Sequence, residues 1–167
     1  PKRIVPTEND MVYRRQLLRG YVHDPGTAML GGVCGHAGIF SNANDLAKIM
    51  QMYLNKGYYG GKRYFQESTV KLFTQSPFKK ENGNRRALGF DKPVTEKNKE
   101  GPTAKGVSEK SYGHSGFTGT IVWADPQEEV VYVFLSNRIH PDQDNLKLIQ
   151  DDIRTKIQQV VYEAIKD

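Results

Sequence analysis

The chain has 167 residues, 37% hydrophobic and 10% aromatic, enough apolar material for one globular core and too much for a disordered polymer. Its formal charge of +5, from Lys+Arg 24 against Asp+Glu 19, is dispersed, and no basic run interleaves with aromatics, which argues against a nucleic-acid stripe. A single cysteine, Cys34, excludes an internal disulfide, and no apolar run reaches membrane-spanning length.

The chain opens at Pro1-Lys2-Arg3 with neither an initiator methionine nor a visible signal peptide, which reads as an excised piece of a longer protein. Residues 1–20 are polar and mixed, and are expected to be extended or loop. Glycines crowd the stretch from Gly20 to Gly38, predicting specific backbone geometry rather than a regular element. Asn42 as N-cap with Asp45 three residues on then opens a helix whose stripe is Leu46, Ile49, Met50, Tyr53 and Leu54, closed by Lys56 and Gly57. A shorter helix is expected from about Glu67 to Gln75, stopped at Ser76-Pro77.

Residues 79–110 form a polar excursion with one strand candidate, Arg86 to Phe90. Three strand candidates follow: Tyr112–Gly116, Thr118–Ala124 and Val130–Leu135, the last two joined by the turn Asp125-Pro126-Gln127-Glu128. Val130–Leu135 is apolar on both faces, predicting a central strand covered on both sides. A long amphipathic helix is expected from about Asp144 to Ile165, with Leu146, Ile149, Ile153, Ile157, Val160 and Ala164 on its buried face. The fold class is α+β, an antiparallel sheet packed by helices that include a long C-terminal one.

The chemistry-bearing stretch is Gly113-His114-Ser115-Gly116-Phe117, directly ahead of a hairpin. Glycines within an extended segment let a ligand or a second backbone approach closely. With the following Phe134-Leu135-Ser136-Asn137-Arg138, and with Gly35-His36-Ala37-Gly38-Ile39-Phe40-Ser41 before a helix, the ordered set resembles the serine beta-lactamase and penicillin-binding-protein family. It is most similar to the branch of class C beta-lactamases, D-alanyl-D-alanine peptidases and related esterases.

The resemblance implies that residues 1–167 are the C-terminal portion of one such domain. Within it, 1–40 is a glycine-rich loop region, 41–78 helical, 79–110 the polar excursion and 111–167 the strand, hairpin and terminal helix. The family carries its nucleophile in Ser-x-x-Lys, a proton-transfer group in Tyr-x-Asn, and a Lys-Thr-Gly or His-x-Gly on a strand beside the cleft; only the last is matched convincingly here. Ser68-Thr69-Val70-Lys71, Ser76-Pro77-Phe78-Lys79 and Tyr53-Leu54-Asn55 fit the other patterns in the wrong order or context and read as decoys.

The resemblance implies catalytic roles for His114, Ser115 and the oxyanion-hole N–H of Phe117, and substrate contacts for Gly116, His36, Ala37 and Gly38. Having His114 where the family has lysine weakens a fixed carboxylate anchor and leaves ester or peptide hydrolysis open. Cys34 is expected as a small buried filler, and His23-Asp24 and His140-Pro141-Asp142 as surface loops rather than metal ligands.

Neither metal nor cofactor is expected. The expected partners are the missing N-terminal part of the same domain and a small peptide, beta-lactam or ester substrate, with no nucleic acid and no transmembrane segment. An incomplete domain should also expose apolar surface and a strand edge, and so self-associate. The implied function is amide or ester hydrolysis through an acyl-enzyme in cell-wall metabolism, and the family setting points to a periplasmic or secreted location. The alternatives are a non-catalytic binding or regulatory module on the same scaffold, or the C-terminal part of a fusion with a beta-N-acetylhexosaminidase.

Overall fold

The computed structural model describes residues 3–96 and 100–166, so positions 1–2, 97–99 and 167 of the ranges above lie outside it. The architecture is α+β. Strand β1 (Pro6–Asp10) pairs antiparallel with β2 (Gln16–Arg19) where an extended or loop segment was expected. The Asp10 carboxylate closes their connection, accepting the N–H groups of Val12, Tyr13 and Arg14 at 3.0, 2.8 and 2.9 Å. The glycine-rich stretch contains a short helix after all, α1 (Pro25–Met29), capped by Asp24, whose Oδ1 accepts Thr27 N at 2.6 Å. Proline at the first helical position and an aspartate cap were its overlooked start signal.

Helix α2 (Ala43–Leu54) forms as the sequence predicts, with the Asn42 side chain accepting Asp45 N. A two-residue ladder of β3 (Tyr58–Tyr59) and β4 (Lys62–Arg63) follows, then α3 (Glu67–Thr74) and α4 (Lys79–Asn82). The predicted strand at Arg86–Phe90 does not form. Gly89, at φ +82°, reverses the chain and Ala87 N bonds Phe90 O at 3.0 Å, so the segment is a tight loop.

The main sheet has strand order β5 (Tyr112–Ser115), β6 (Ile121–Asp125), β7 (Val130–Phe134), all antiparallel. Two successive hairpins put β6 in the centre, so β7 is an edge strand, contrary to the expectation from its apolarity. Both its faces are nevertheless covered. On one side α2 supplies Met50 to a cluster with Tyr112 and Ala124, joined by Tyr53, Leu54, Phe90, Val122 and Val131. On the other, Ile121, Trp123 and Tyr132 pack together with Phe134.

The long terminal helix is broken into α5 (Lys147–Gln150) and α6 (Ile153–Lys166), with Asp152 at φ +49° between them. Two adjacent aspartates are poor helix interior residues, and the second adopts the left-handed turn instead. The buried face of α6 also differs from the expected stripe. Gln158 and Tyr162 are fully buried, whereas Ile157 is 42% and Val160 63% exposed. Polar bonding decides this. Gln158 Oε1 accepts Ala104 N at 2.9 Å, Tyr162 Oη donates to Asp125 at 3.0 Å, and the Arg154 carbonyl accepts the Tyr132 hydroxyl at 2.9 Å. Among the described residues no helix is long and apolar enough to cross a membrane.

Candidate functional site

Residues His114 to Phe117 lie at the end of β5, where it turns toward β6. Gly113 explains the closeness of that pairing. A Cβ there would sit 2.2 Å from the Val122 carbonyl oxygen and 2.4 Å from the Trp123 ring, so this glycine serves sheet packing rather than ligand approach. At Gly116 a Cβ would meet Thr120 Oγ1 at 2.5 Å, inside the tight 116–120 turn closed by Gly116 N to Thr120 O at 2.8 Å.

On its other edge, Gly113 exchanges two backbone bonds with Asp91, at 2.7 and 3.2 Å. In an antiparallel ladder alternate residues face the same edge, so Ser115 turns its backbone toward that outer edge beyond the point where Asp91 stops. Among the described residues, neither the Phe117 N–H nor the Ser115 hydroxyl has a hydrogen-bond partner. The end of β5 is therefore an open strand edge carrying free donors.

His114 is exposed, and both ring nitrogens are engaged. Nδ1 lies 2.8 Å from the Ser115 carbonyl and Nε2 lies 3.2 Å from Arg86 Nη1. A carbonyl only accepts and a guanidinium only donates, so these contacts select the tautomer with its proton on Nδ1. Arg86 was not a candidate from the sequence, since it sits 28 residues away in the polar excursion. Its loop is held in place by Arg85, which grips Asp91, the residue bridged to Gly113, and by Ser76, whose hydroxyl donates to the Arg85 carbonyl at 2.5 Å. Ser76 thus has a structural task. Burial, then the neighbouring Arg86 charge, pulls Arg85 below its ordinary pKa.

The Phe117 ring is held from two sides. His23 stacks on it at 5.1 Å with an interplanar angle of 8°, and the Arg138 guanidinium lies 4.5 Å from its centre. Arg138 Nε also donates to the Phe117 carbonyl at 3.0 Å. His23 Nδ1 is 3.0 Å from Glu8 Oε1, within ion-pair distance but outside hydrogen-bond geometry. Arg14 joins the set by donating to Glu8 and Asp10 and to the carbonyls of Val22 and His23. Its hydrogen bond to Asp10 holds that carboxyl well below the usual range. His23 therefore belongs to this support and is not a surface-loop residue. The only sequence signal was the His23-Asp24 doublet itself.

His36 is not brought against β5. Its Nε2 lies 3.0 Å from Thr27 Oγ1 and 3.1 Å from Asp24 Oδ1, and its side chain is 62% exposed. The Thr27 backbone N–H, then the Thr27 hydroxyl and His36, lower the Asp24 carboxyl to about 2. Among the described residues, no hydrogen bond, ion pair or ring contact links 36–38 to 114–117. Gly38, at φ +110°, closes its own loop, where a Cβ would strike the Gly32 carbonyl. Cys34 is half-buried rather than core.

Ser68 and Lys71 are both exposed on α3, and Tyr53 packs against Phe65 and Phe90. Among the described residues no group of three or more His, Cys, Asp or Glu is placed to hold a metal ion.

The family model described as Beta-lactamase matches residues 2–154. The chain is 41% identical over 129 residues to the "Putative D-alanyl-D-alanine carboxypeptidase" of Escherichia coli (strain K12), covering 76% of this chain and 29% of that protein. It is 39% identical over 139 residues to the protein of the same name from Salmonella gallinarum (strain 287/91 / NCTC 13346), covering 81% and 31%. Among solved structures, the "Putative 6-aminohexanoate-dimer hydrolase from Bacillus anthracis" aligns with a TM-score of 0.48 at 19% identity, over 76% of this chain and 31% of that one. The chain thus spans under a third of the length of these curated relatives.

Proposed function

Because the chain belongs to the beta-lactamase family, we propose that it is the part of a serine hydrolase domain that supplies the His-Ser-Gly strand, while the nucleophile comes from elsewhere in the parent protein. The substrate is an amide or ester cleaved through an acyl-enzyme, and the names of the curated relatives favour a cell-wall peptide ending in D-alanyl-D-alanine.

The observation that carries this reading is the open edge at Ser115–Phe117, with an unpartnered N–H on Phe117 and the His114 imidazole alongside. In the proposed mechanism the substrate lies along that edge and its carbonyl oxygen accepts from Phe117 N–H and from the N–H of the nucleophilic serine. One such donor is typically worth about 3 kcal/mol of transition-state stabilisation. His114 sits in the proton network beside the nucleophile, and the Ser115 hydroxyl binds the substrate. Arg138 and His23 hold Phe117 so that its N–H is aimed in advance of binding.

The remaining part of the domain is the partner we assign to the exposed apolar stripe of Ile153, Ile157 and Val160 on α6, which in the isolated chain favours self-association. A non-catalytic binding module is the second reading. What favours it is that Ser68 and Lys71 are exposed on α3 and that, among the described residues, neither is hydrogen-bonded to His114.

Fluorescent penicillin and a p-nitrophenyl ester test the assignment. The chain alone should remain unlabelled. A form spanning the full length of its relatives should be acylated and turn over the ester, and His114→Ala in that form should lower kcat/KM by about 100-fold, the lower range for a group assisting proton transfer. Labelling of the isolated chain that disappears in Ser68→Ala overturns the proposal, as does a full-length form that is never acylated.

A further inference from the structure

We propose that Arg14, in the connection between β1 and β2, is a positioning residue for the Phe117 N–H and acts on it through His23. The inference rests on the hydrolase reading above and adds the brace that aims its donor.

The peptide that carries the Phe117 N–H has its carbonyl on Gly116, and that carbonyl accepts Gly119 N at 3.0 Å. One bond lets the peptide plane pivot, and the glycines at 116 and 119, the latter at φ +102°, add no side chain to restrain it. A second point of support fixes the plane. The Phe117 ring and carbonyl supply it, through the His23 stack and through Arg138.

Both supports are mounted on β1. Arg14 donates from Nε to Asp10 Oδ2 at 2.7 Å and from Nη2 to Glu8 Oε1 at 2.8 Å, which ties the guanidinium to that strand. It donates as well to the carbonyls of Val22 at 2.6 Å and His23 at 2.9 Å, which ties the His23 backbone to the guanidinium. The same Glu8 oxygen lies 3.0 Å from His23 Nδ1, so one carboxylate holds Arg14 and faces the edge of the imidazole. Glu8 and Asp10 are buried and the Arg14 side chain is only 16% exposed, so water and salt weaken these contacts little. On the other side Asn137, next to Arg138 in the chain, donates to the carbonyls of Pro6 and Thr7 at 2.6 and 3.0 Å. A planar guanidinium serves these four acceptors from one fixed fork, which the point charge of a lysine cannot do.

The test combines amide nitrogen–proton spectra of the chain with kcat and KM of a full-length form on a p-nitrophenyl ester. Arg14→Lys should move the Phe117 amide resonance and lower kcat about tenfold with KM within about twofold, since a misplaced catalytic group can cost about 100-fold. Glu8→Gln should act in the same direction and less strongly. Arg19→Lys, in the same hairpin but bonded to the Ile4 carbonyl, should change neither. Should Arg14→Lys fail to fold, Glu8→Gln decides, because glutamine keeps an acceptor for Arg14 while removing the charge that faces His23. A merely structural role would shift the urea midpoint and leave the Phe117 amide and kcat as they were. That result in a folded Arg14→Lys or Glu8→Gln, or a loss carried by KM alone, would overturn the proposal. The hydrolase reading fails separately. A full-length form that is never acylated, in a chain whose Phe117 amide still responds to Arg14→Lys, would sink catalysis and uphold the brace.

Discussion

Asp125 offers the sharpest test of how this fold is held together. It ends β6 with 0% exposure, and its carboxylate accepts Ser108 N at 2.7 Å, Ser108 Oγ at 2.5 Å, Tyr162 Oη at 3.0 Å, Gln127 N at 3.0 Å and Glu128 N at 3.3 Å. Burial acts to raise the carboxyl, but the donors from Ser108, Gln127 and Tyr162 outweigh it and hold it below its ordinary value.

Asp125→Ala removes this hub. The Gln127 and Glu128 N–H groups lie at the turn, where water can replace the lost acceptor. The two Ser108 bonds and the Tyr162 bond are buried and cannot be replaced in that way. A hydrogen bond to a charged group contributes about 1.5–3 kcal/mol, and bonds sharing one acceptor do not add fully. The expected loss is therefore about 4 kcal/mol, close to the whole stability of a marginal domain at about 5 kcal/mol. Asp125→Asn keeps one acceptor oxygen and should lose about half as much.

Urea unfolding followed by far-UV circular dichroism at pH 7 measures both. The sign with pH is also fixed. A carboxyl whose folded pKa lies below the unfolded value contributes stability above about 3.8 and loses it as pH falls through the lowered folded value, so wild type and Asp125→Asn should converge in acid. A loss under about 1 kcal/mol for Asp125→Ala at pH 7 would refute the argument that this carboxylate organises the corner.

Lys92 provides the opposite case. Burial brings its ammonium down to about 8, although it donates to the Lys110 carbonyl at 2.9 Å. A folded pKa below the unfolded value is a cost in a lysine, present in full below pH 8 and relieved between there and 10.5. Lys92→Met should therefore raise stability by about 1 kcal/mol at pH 7, with the gain shrinking as urea midpoints are followed toward pH 10.5. A gain that grows with pH would contradict this. Arg138→Ala frees the Phe117 carbonyl and ring, and should lower stability by about 2 kcal/mol. In the full-length form it should lower kcat about tenfold with KM little changed. An unchanged kcat would remove Phe117 N–H from the oxyanion role.

Local signals were legible where a single element decided its own conformation. Helix α2 followed from the Asn42 cap, its apolar stripe and Gly57, and the hairpin of β6 and β7 followed from its turn residues. Longer-range features were not legible. Val130–Phe134 reads as central because both faces are apolar, but its edge position depends on connectivity, and its side chains find apolar neighbours from α2 on one face and from β6 on the other. The α6 stripe looks buried by hydrophobicity, yet Gln158 and Tyr162 face inward because Ala104 and Asp125 offer buried polar partners there.

The sequence by itself determined the ordered motif at Gly113–Phe117, the α+β class and the resemblance to a family that the chain's relatives bear out. Only the tertiary structure decided what stands around that motif. It placed Arg86 on His114, stacked His23 and Arg138 on Phe117, and made Gly113 the point where β5 closes on Trp123, choosing the second backbone over a ligand. The reason is physical. Local propensities act through neighbours in the chain, whereas a charge 28 residues away reaches an imidazole only after Asp91 has bridged to Gly113 and fixed the distance between them.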